Sequence, residues 1–254
     1  MHNNAISAVL ITYNEERNIV DCLEAVKWVD EIVIVDANSQ DKTLELCRKF
    51  TDKIYKRPWP GFGPQKNFGI DQATSEWILI VDADERVPSA LRDEILEIVK
   101  QPGEKVGYRI PRRNFWYGKW VRWAGMYPDY QLRLFKKSAG RYNDVLVHEN
   151  LILNGPTGHL ENPMDHITER RLSDHMKKFM QYTTLAAEEK AKRRSKVTIL
   201  DLVFNHKATF IKAYFIRKGF RDGIHGFIVS MLAGMYTFVK YAKLWEMESS
   251  KDRS

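Results

Sequence analysis

Short apolar runs alternate with helical patterns along the first third of the chain, and this alternation restricts the fold more than any other feature. The runs lie at residues 7–12, 31–36, 53–55 and 77–81. Helical spacing of apolar residues follows them, with helices expected near Ile19, near Thr43 and from Gln65 to Ala73. Nearly continuous apolar strands between helices are typical of a mostly parallel sheet covered on both faces. The sequence therefore predicts an α/β fold.

Polar side chains follow three of these predicted strands at the point where each strand ends. They are Thr12-Tyr13-Asn14-Glu15, the stretch from Asp36 to Asp41, and Asp82-Ala83-Asp84. In a parallel sheet these ends meet at one edge, which is where ligands bind. Side chains two apart on a strand point the same way, and carboxylate oxygens suit Mg²⁺ or Mn²⁺ shared with phosphate. A single strand end with a carboxylate is commonplace, and Asp-x-Asp alone is a weak signal. Three strand ends with carboxylates at one edge of the sheet together indicate a site for a metal and a diphosphate.

Several nucleotide-binding classes are disfavoured by the segment after the first strand. It contains neither Gly-x-Gly-x-x-Gly nor Gly-Lys-Ser/Thr, so a dinucleotide fold and a P-loop are not indicated. A nucleotidyltransferase also has carboxylates at the end of a buried strand. Such an enzyme normally opens with a glycine-rich loop carrying Arg or Lys, and Thr12 to Glu15 is not that loop.

From Pro102 onward the pattern becomes β-rich and aromatic. Strand patterns cover 107–115 and 131–135, and the aromatic residues between them are Trp116, Tyr117, Trp120, Trp123 and Tyr127. We expect this part to extend the sheet and to form the far wall of the cleft. Its aromatic rings stack on sugars in one interpretation and pack in a core in the other.

The positive charge is concentrated after residue 164. Residues 165–254 carry 18 Lys and Arg against 10 Asp and Glu, whereas the first 164 residues carry 22 against 23. We therefore predict a catalytic domain at 1–164 and a basic helical region at 165–254. The region reads as helical from Ile167 to about Lys190, and a basic run and amphipathic stretches follow. Nucleic acid is not predicted as a partner, because no zinc finger or RNP aromatic pair is present.

This basic region is predicted to lie on an anionic membrane surface, with homodimerisation or core packing as the alternative. Its longest apolar stretch, 227–239, is shorter than the roughly 20 residues that a membrane span needs. Basic helices with Phe, Tyr and Trp favour the membrane interface. With no signal-peptide pattern and only Cys22 and Cys47, we expect a reduced cytoplasmic protein, peripheral on the inner face of the cytoplasmic membrane.

Four ordered motifs make the chain resemble the family 2 glycosyltransferases of GT-A fold. They are Val9 to Glu16, Ile34 to Thr43, Gln65 to Ile70 and Val81 to Glu85. Residues 127–135 and Val147-His148-Glu149 further resemble the bacterial branch that contains lipopolysaccharide core β-1,4-glucosyltransferases. The resemblance implies a GT-A, Rossmann-like, mostly parallel sheet flanked by helices, here with a C-terminal amphipathic helical extension.

The resemblance also implies inverting transfer of a sugar, with glucose as the leading candidate, from a UDP-sugar to a hydroxyl of a lipid-linked glycan. The implied donor pocket comprises Thr12, Tyr13, Asn14, Glu15, Asp36, Ser39, Lys66, Asn67, Asp82, Ala83 and Arg133. In it Asp36 accepts a hydrogen bond from uracil N3–H, Lys66 approaches the phosphates, and Arg133 either clamps the diphosphate or forms an ion pair. Heptosyl transfer, transfer to a polyprenyl phosphate and a non-catalytic glycan-binding or membrane-adaptor protein are the alternatives.

The implied metal and base are assigned to a second group of residues. Mn²⁺ or Mg²⁺ is expected on Asp84, with Asp82 contacting the ribose or the metal shell and His148 completing the shell or orienting the acceptor. Many relatives carry a Glu-Asp pair for deprotonating the acceptor hydroxyl. Here Glu149 is the first candidate for that base and Asp129 the second.

Overall fold

The computed structural model describes residues 4–143, 150–169, 171–192 and 196–251. The chain divides into two compact units. The sheet unit contains Met1–Arg112 and Asp129–His166, and the helical unit contains Arg113–Pro128 and Ile167–Ser254. The sequence pattern places residues 113–128 in the catalytic domain at 1–164, whereas the division by contacts places them in the helical unit.

The strands and helices begin and end close to the predicted positions in the first third of the chain. The strands are β1 Ile6–Thr12, β2 Glu31–Asp36, β3 Ile54–Lys56, β4 Trp77–Ile80, β5 Glu85–Arg86, β6 Gly107–Trp116, β7 Lys119–Trp120, β8 Asp129–Lys136, β9 Gly140–Tyr142, β10 Leu151–Leu153, β11 Thr157–His159 and β12 Met164–Glu169. The helices are α1 Ile19–Val26, α2 Thr43–Cys47, α3 Phe62–Gln72, α4 Ser89–Lys100, α5 Leu172–Lys192, α6 Ile199–Ile211 and α7 Ile224–Lys251.

The main sheet has the order β3-β2-β1-β4-β8-β6-β12-β5. Strands β3, β2, β1 and β4 are parallel, whereas β8 runs antiparallel to β4 and β6 antiparallel to β8. In this register Thr12 lies opposite Asp36. The carboxyl ends of β1, β2 and β4 therefore meet at one edge, as the sequence predicts.

Helices cover both faces of the parallel part. Alternate residues of β1 point to opposite faces, so Ala8 and Leu10 pack with Leu23 of α1 while Val9 packs with Ile70 of α3. Helix α3 lies very close to the sheet because it has glycine at the contact: a Cβ on Gly69 would lie 2.5 Å from Val9 Cγ1. A larger side chain there would push α3, which carries Lys66, away from the strand ends.

The helical unit is built from α5, α6 and α7, with α7 packed against both of the others. Helix α6 begins with a capping box in which the side chains of Thr198 and Asp201 each accept from the other's backbone N–H. A π-helical turn, Lys212–Ile216, and a 3₁₀ turn, Gly219–Asp222, join α6 to α7. The predicted helix from Ile167 is wrong in its first residues, since β12 continues to Glu169 and α5 begins at Leu172.

Both cysteines are free and buried, in α1 and α2. Burial raises the pKa of the Cys47 thiol to about 12. No helix in the described ranges combines the length and the apolar character needed to cross a membrane.

Glu31 stabilises the amino-terminal edge of the sheet. Its carboxylate accepts hydrogen bonds from Ser7 Oγ, Lys53 Nζ and, at 2.8 Å, the backbone N–H of Thr74. Burial raises the pKa of Glu31, but the hydrogen bonds from Lys53, Ser7 and Thr74 lower it by more, so its pKa lies below the usual range. Its stabilising contribution is therefore complete above the unfolded-state pKa and is lost as the pH falls through the folded-state pKa.

We expect Glu31→Gln to lower the free energy of unfolding at pH 7 by about 1.5–3 kcal/mol, the usual range for hydrogen bonds to a charged group. The deficit should begin to shrink below about pH 4, the ordinary glutamate pKa, and should disappear as the pH falls through the lower pKa of the folded state. Urea unfolding at several pH values measures both effects. Glu45→Gln, at an exposed position of α2, is the control. A deficit that stays constant with pH would contradict the assignment.

Candidate active site

Asp36 organises the loop at the ends of β1 and β2. Its carboxylate accepts three hydrogen bonds, from Thr12 Oγ1 at 2.9 Å, from the Ser39 N–H at 2.8 Å and from Ser39 Oγ at 2.6 Å. The side chain is fully buried. A carboxylate offers about four lone-pair positions, so one position remains. A direct contact between Asp36 and a base would require local movement, for instance release of the Ser39 hydroxyl.

The neighbouring loop is held by interlocking hydrogen bonds between the segments that follow β1 and β2. Asn14 adopts a left-handed backbone conformation with φ 54°, its N–H donates to Ser39 Oγ at 2.8 Å, and its side-chain oxygen accepts from the Gln40 N–H at 2.8 Å. The N–H of Glu15 donates to Thr43 Oγ1 at 2.8 Å. Tyr13 projects outward and is 57% exposed, which leaves its ring available to a ligand.

The Asp82–Asp84 turn at the end of β4 is fixed by its own neighbours. The N–H of Asp82 donates to Glu85 Oε2 at 3.0 Å, and the N–H of Glu85 donates back to the Asp82 carbonyl at 2.8 Å. Arg86 Nη1 donates to the Ala83 carbonyl at 2.9 Å. With Ala83 buried, the turn is held tightly and its two aspartates have defined positions.

A network of opposite charges lies beneath this turn. Arg133 Nη2 donates to Asp82 and, at 2.6 Å, to Glu85 Oε1, while Lys66 Nζ lies 3.7 Å from Asp82 Oδ1. Arg112 Nη1 also reaches Glu85, at 3.3 Å. Both Lys66 and Arg133 are at most 6% exposed in their side chains, and Glu85 is fully buried. Of the two predicted roles of Arg133, the ion pair is therefore the one present.

The network moves the pKa values of its members in opposite directions. Burial raises the pKa of Asp82, but the charges of Arg133 and Lys66 outweigh burial and hold it well below its usual range. Burial likewise lowers the pKa of Arg133, and the charges of Asp82 and Glu85 more than offset this, so its pKa lies well above the ordinary value. Asp82 is thus an ion-paired carboxylate, whereas Asp84 lies outside this charge network.

Asp84 lies beside a histidine that the sequence interpretation missed. His166 Nε2 is 3.4 Å from Asp84 Oδ2, because β12 pairs with β5 and places His166 opposite Glu85. Both side chains are about one-fifth exposed. Adjacent ligands of one Mg²⁺ or Mn²⁺ lie about 3 Å apart, so this pair fits two neighbouring positions of such an ion. In the described ranges no group of three or more His, Cys, Asp or Glu could hold a metal.

The second base candidate, Asp129, forms an ion pair. Its Oδ2 accepts from Arg112 Nε at 2.9 Å and from Arg112 Nη2 at 2.6 Å, and its Oδ1 accepts from Gln131 at 2.8 Å. A carboxylate held this way is a weaker base than an unpaired one. The first candidate, Glu149, and the predicted metal ligand His148 lie outside the described residues.

Asn67 has a structural role next to Lys66. Its amide nitrogen donates to the Tyr142 carbonyl at 2.9 Å, and its amide oxygen accepts from the Tyr142 N–H at 2.9 Å. This pairing holds β9 against α3. It also places the Tyr142 ring 5.2 Å from Lys66 Nζ.

The charged residues line a pocket of about 260 Å³ at the carboxyl edge of the sheet. Its lining residues are Lys66, Asp82, Arg109, Arg112, Gln131, Leu132, Arg133, Tyr142, Asn150 and Leu151. Four cations face one carboxylate there, which favours an anionic ligand. A larger recess of about 1170 Å³ lies at the opposite edge, near Asp30, Phe50 and Thr74. It contains none of the strand-end residues, so the smaller pocket is the better candidate.

The predicted aromatic platform belongs to a different unit. Trp116, Tyr117, Trp120, Trp123 and Tyr127 all lie in the 113–128 segment of the helical unit. Trp120 packs edge-on against Tyr127, with ring centroids 5.5 Å apart. Whether these rings stack on sugar remains a prediction.

Comparisons with known proteins place the chain in a family. The model of glycosyl transferase family 2 matches residues 7–148. The lipopolysaccharide core biosynthesis glycosyltransferase LpsC of Rhizobium meliloti is 30% identical, over 98% of this chain and 94% of its own. An uncharacterized glycosyltransferase of Rickettsia typhi, RT0209, is 27% identical over 98% of this chain and 89% of its own.

A solved structure shares the fold. The mannosyltransferase PcManGT of Pyrobaculum calidifontis, in complex with GDP-Man and Mn²⁺, superposes with a TM-score of 0.57 at 15% identity, covering 95% of this chain and 87% of the other. The fold is that of a GT-A glycosyltransferase. The chain belongs to glycosyl transferase family 2.

Proposed function

We propose that this protein is an inverting, metal-dependent glycosyltransferase that moves a sugar, with glucose as the first candidate, from a UDP-sugar to a lipopolysaccharide core or another lipid-linked glycan. The pocket at the strand ends carries this proposal. It places four cations beside the Asp82–Asp84 turn, where a donor diphosphate needs compensation of its charge. The relative named for lipopolysaccharide core biosynthesis supports the acceptor class.

The nucleoside part of the donor is assigned to the loops after β1 and β2. Thr12, Asn14, Glu15 and Ser39 form the hydrogen-bonded edge, with Tyr13 exposed above it. In the bound state Asp36 accepts from uracil N3–H after a local movement such as release of the Ser39 hydroxyl. A carboxylate there disfavours cytosine, which has no N3–H.

The diphosphate part is assigned to the cations of the pocket. In the ligand-free arrangement Lys66 and Arg133 are paired with Asp82. A diphosphate brings stronger negative charge than one carboxylate and competes for both cations. Arg109, which is exposed and lines the same pocket, adds a further positive charge.

Asp84 and His166 are the side chains that would hold Mn²⁺ or Mg²⁺, and oxygens of the diphosphate would complete the coordination. The bound cation supplies Lewis-acid stabilisation of the departing diphosphate. PcManGT was solved with Mn²⁺, which supports a divalent ion as the cofactor. His148 remains a further candidate ligand.

Inversion requires one base on the acceptor side of the sugar. The base takes the proton of the acceptor hydroxyl, its oxygen bonds to the anomeric carbon, and the bond to the nucleoside diphosphate breaks on the opposite face. Glu149 is the proposed base. Asp129 is second, since it must first be released by Arg112.

We expect Glu149→Gln to lower kcat by about 10²- to 10⁴-fold with donor affinity unchanged, which is the usual contribution of general-base catalysis. Asp129→Asn should instead perturb the position of Arg112 and affect KM for the donor more than kcat. Steady-state kinetics of both variants separate the two assignments. If Asp129→Asn shows the larger loss of kcat, the base is Asp129.

The acceptor proposal explains the charge distribution of the chain. A lipid-linked glycan is held at an anionic membrane, and the net positive charge of the chain lies in residues 165–254. We therefore place the protein in the cytoplasm, peripheral on the inner face of the cytoplasmic membrane. Heptosyl transfer and polyprenyl-phosphate glycosyl transfer are the enzymatic alternatives, and a non-catalytic glycan-binding or adaptor protein is the remaining one.

Thermal shift and donor hydrolysis with UDP-glucose, UDP-galactose, UDP-N-acetylglucosamine, GDP-mannose and ADP-heptose test the proposal, each with and without Mn²⁺ or Mg²⁺. Stabilisation and hydrolysis by one UDP-sugar, only with metal, is expected. Binding of the ADP-sugar alone would favour heptosyl transfer. Binding of no donor would favour the non-catalytic alternative.

A further inference from the structure

The segment joining α6 to α7 carries exposed apolar side chains and exposed cations together. We call residues 212–227 the elbow; it contains the π-helical turn, the 3₁₀ turn and the first residues of α7. Its exposed apolar residues are Phe215 (56%), Ile216 (70%), Phe220 (48%), Ile224 (64%) and Phe227 (40%). A cluster of large apolar side chains on a surface marks an interaction site.

The aromatic part of the elbow is packed internally, so its outer rings are held in place. Tyr214 lies at the centre, with its ring centroid 5.0 Å from that of Phe215, 6.2 Å from that of Phe220 and 5.6 Å from that of Phe227. Phe210 of α6 stacks on Tyr214 at 5.4 Å. The exposed rings therefore have fixed positions on the surface of the elbow.

A group of cations surrounds Trp123, which lies next to the elbow within the same unit. Arg221 lies 4.7 Å from the centroid of the Trp123 ring, Arg122 lies 5.7 Å from it and Lys218 Nζ lies 5.9 Å from it. The Arg217 carbonyl accepts from the Ala124 N–H at 2.9 Å, which fixes the elbow to the 113–128 segment. These contacts gather three exposed cations, Arg122, Lys218 and Arg221, around one aromatic ring. The exposed side chain of Arg217 lies beside Gly125 in the same segment.

The positive charge of this group is not balanced by nearby carboxylates. In the part of the chain that the structure describes, Arg122, Arg217, Lys218 and Arg221 form no ion pair. The one acidic residue of the elbow is Asp222. It is only 6% exposed, and its Oδ2 accepts from the Trp123 N–H at 2.7 Å. The Asp222 carboxylate thus binds a backbone N–H inside the unit. The charged side chains on the outer surface of the elbow are therefore all cations.

We infer that the elbow, with Arg122 and Trp123, is the element that docks the protein on an anionic phospholipid bilayer. Apolar side chains that enter the acyl boundary and cations that meet lipid phosphates are the two components of interfacial binding. The elbow offers both on adjacent turns. Nucleic acid would match the cations but not the exposed isoleucines and phenylalanines, since nucleic-acid interfaces are strongly polar.

This inference refines the membrane part of the proposed function and rests on it. The sequence pattern spreads the predicted membrane contact over the basic run at 190–196, the stretches 199–204 and 210–216 with their interspersed lysines and arginine, and the apolar stretch 227–239. In the structure much of that stretch packs within the helical unit, with Val229 and Leu232 buried. The elbow and the loop at 122–123 come from parts of the chain almost 100 residues apart, and folding brings them together.

The test is co-sedimentation of the full-length protein with vesicles of phosphatidylcholine alone or mixed with phosphatidylglycerol, without donor or acceptor. Arg122→Gln combined with Arg221→Gln should weaken binding to the anionic vesicles about 25-fold, because each basic residue near an anionic surface contributes about fivefold. Its control, Lys49→Glu with Lys100→Glu, changes exposed lysines of the sheet unit and should have little effect.

A second variant tests the apolar component. Ile216→Ser should weaken binding to the anionic vesicles more than Ile152→Ser, an equally conservative change at a 57% exposed position of the sheet unit. Circular dichroism and Tm confirm that each variant is folded. Wild-type binding that is insensitive to phosphatidylglycerol, or equal losses in the variants and their controls, would overturn the inference.

Size-exclusion chromatography tests the main competing explanation, which is that a second copy of this chain covers the elbow. If the wild-type protein is a dimer and Ile216→Ser converts it to a monomer without changing vesicle binding, the elbow is a contact between two copies and the inference fails. Donor hydrolysis is measured separately on the same samples. Loss of vesicle binding with hydrolysis retained would leave the proposed catalytic function intact, so the two failures are distinguishable.

Discussion

Asp84→Asn is expected to lower metal-dependent sugar transfer by about 10³-fold while the protein stays folded, because a metal ion contributes several kcal/mol of transition-state stabilisation. Asparagine keeps the size of the side chain but removes the charge that attracts the cation. Asp84 contacts His166 Nε2 at 3.4 Å and is not part of the buried charge network. The change should therefore affect metal binding and not folding.

Titration of Mn²⁺ in the presence of UDP follows the predicted loss of metal affinity, and steady-state rates follow the loss of turnover. His166→Ala should give a smaller loss in both, since it removes one neutral ligand and leaves the carboxylate. Asp93→Asn, at an exposed position of α4, is the matched control. If Asp84→Asn retains turnover and metal affinity near the wild-type values, the metal does not bind at this turn.

The second large effect concerns stability. Glu85→Ala is expected to lower the free energy of unfolding by about 3–5 kcal/mol, because it leaves the buried cations partly uncompensated. Glu85 is fully buried and contacts Arg133 at 2.6 Å and Arg112 at 3.3 Å. It also accepts the N–H of Asp82 at 3.0 Å, so its loss loosens the Asp82–Asp84 turn.

Urea unfolding measures this change, with Glu97→Ala on the exposed face of α4 as the control. Any remaining activity of Glu85→Ala should show a raised KM for the donor, since Arg133 and Arg112 lose a positioning partner. A loss below about 1 kcal/mol, which is usual for an exposed ion pair, would mean that the network does not hold the site together.

The parallel part of the fold was predictable because its signals are local. Strands β1, β2 and β4 each combine an apolar run with a polar end, and the ends meet at one edge in any parallel sheet. Helix α4 carried an equally local signal in the spacing of Leu91, Ile95 and Val99, all buried, and the sequence interpretation did not use it.

The rest of the site depends on pairing between distant segments. His166 reaches Asp84 because β12 pairs with the two-residue strand β5, about 80 residues earlier in the sequence. No periodicity marks so short a strand, and the sequence pattern assigns the last residues of β12, from Ile167, to a helix. Likewise Arg112 and Glu85 meet only after β6 and β5 enter one sheet. The pairing of Asp82 with the buried Arg133 follows from the same long-range order.

Sugar transfer itself tests the central claim most directly. The measurement is transfer of radiolabelled sugar from the donor selected by the hydrolysis screen to purified lipopolysaccharide with a truncated core, with Mn²⁺ or with a chelator. We predict labelled lipopolysaccharide only with the metal present, and none with Asp84→Asn. Transfer that continues in the chelator, or donor binding without transfer to any lipid-linked glycan, would contradict the account.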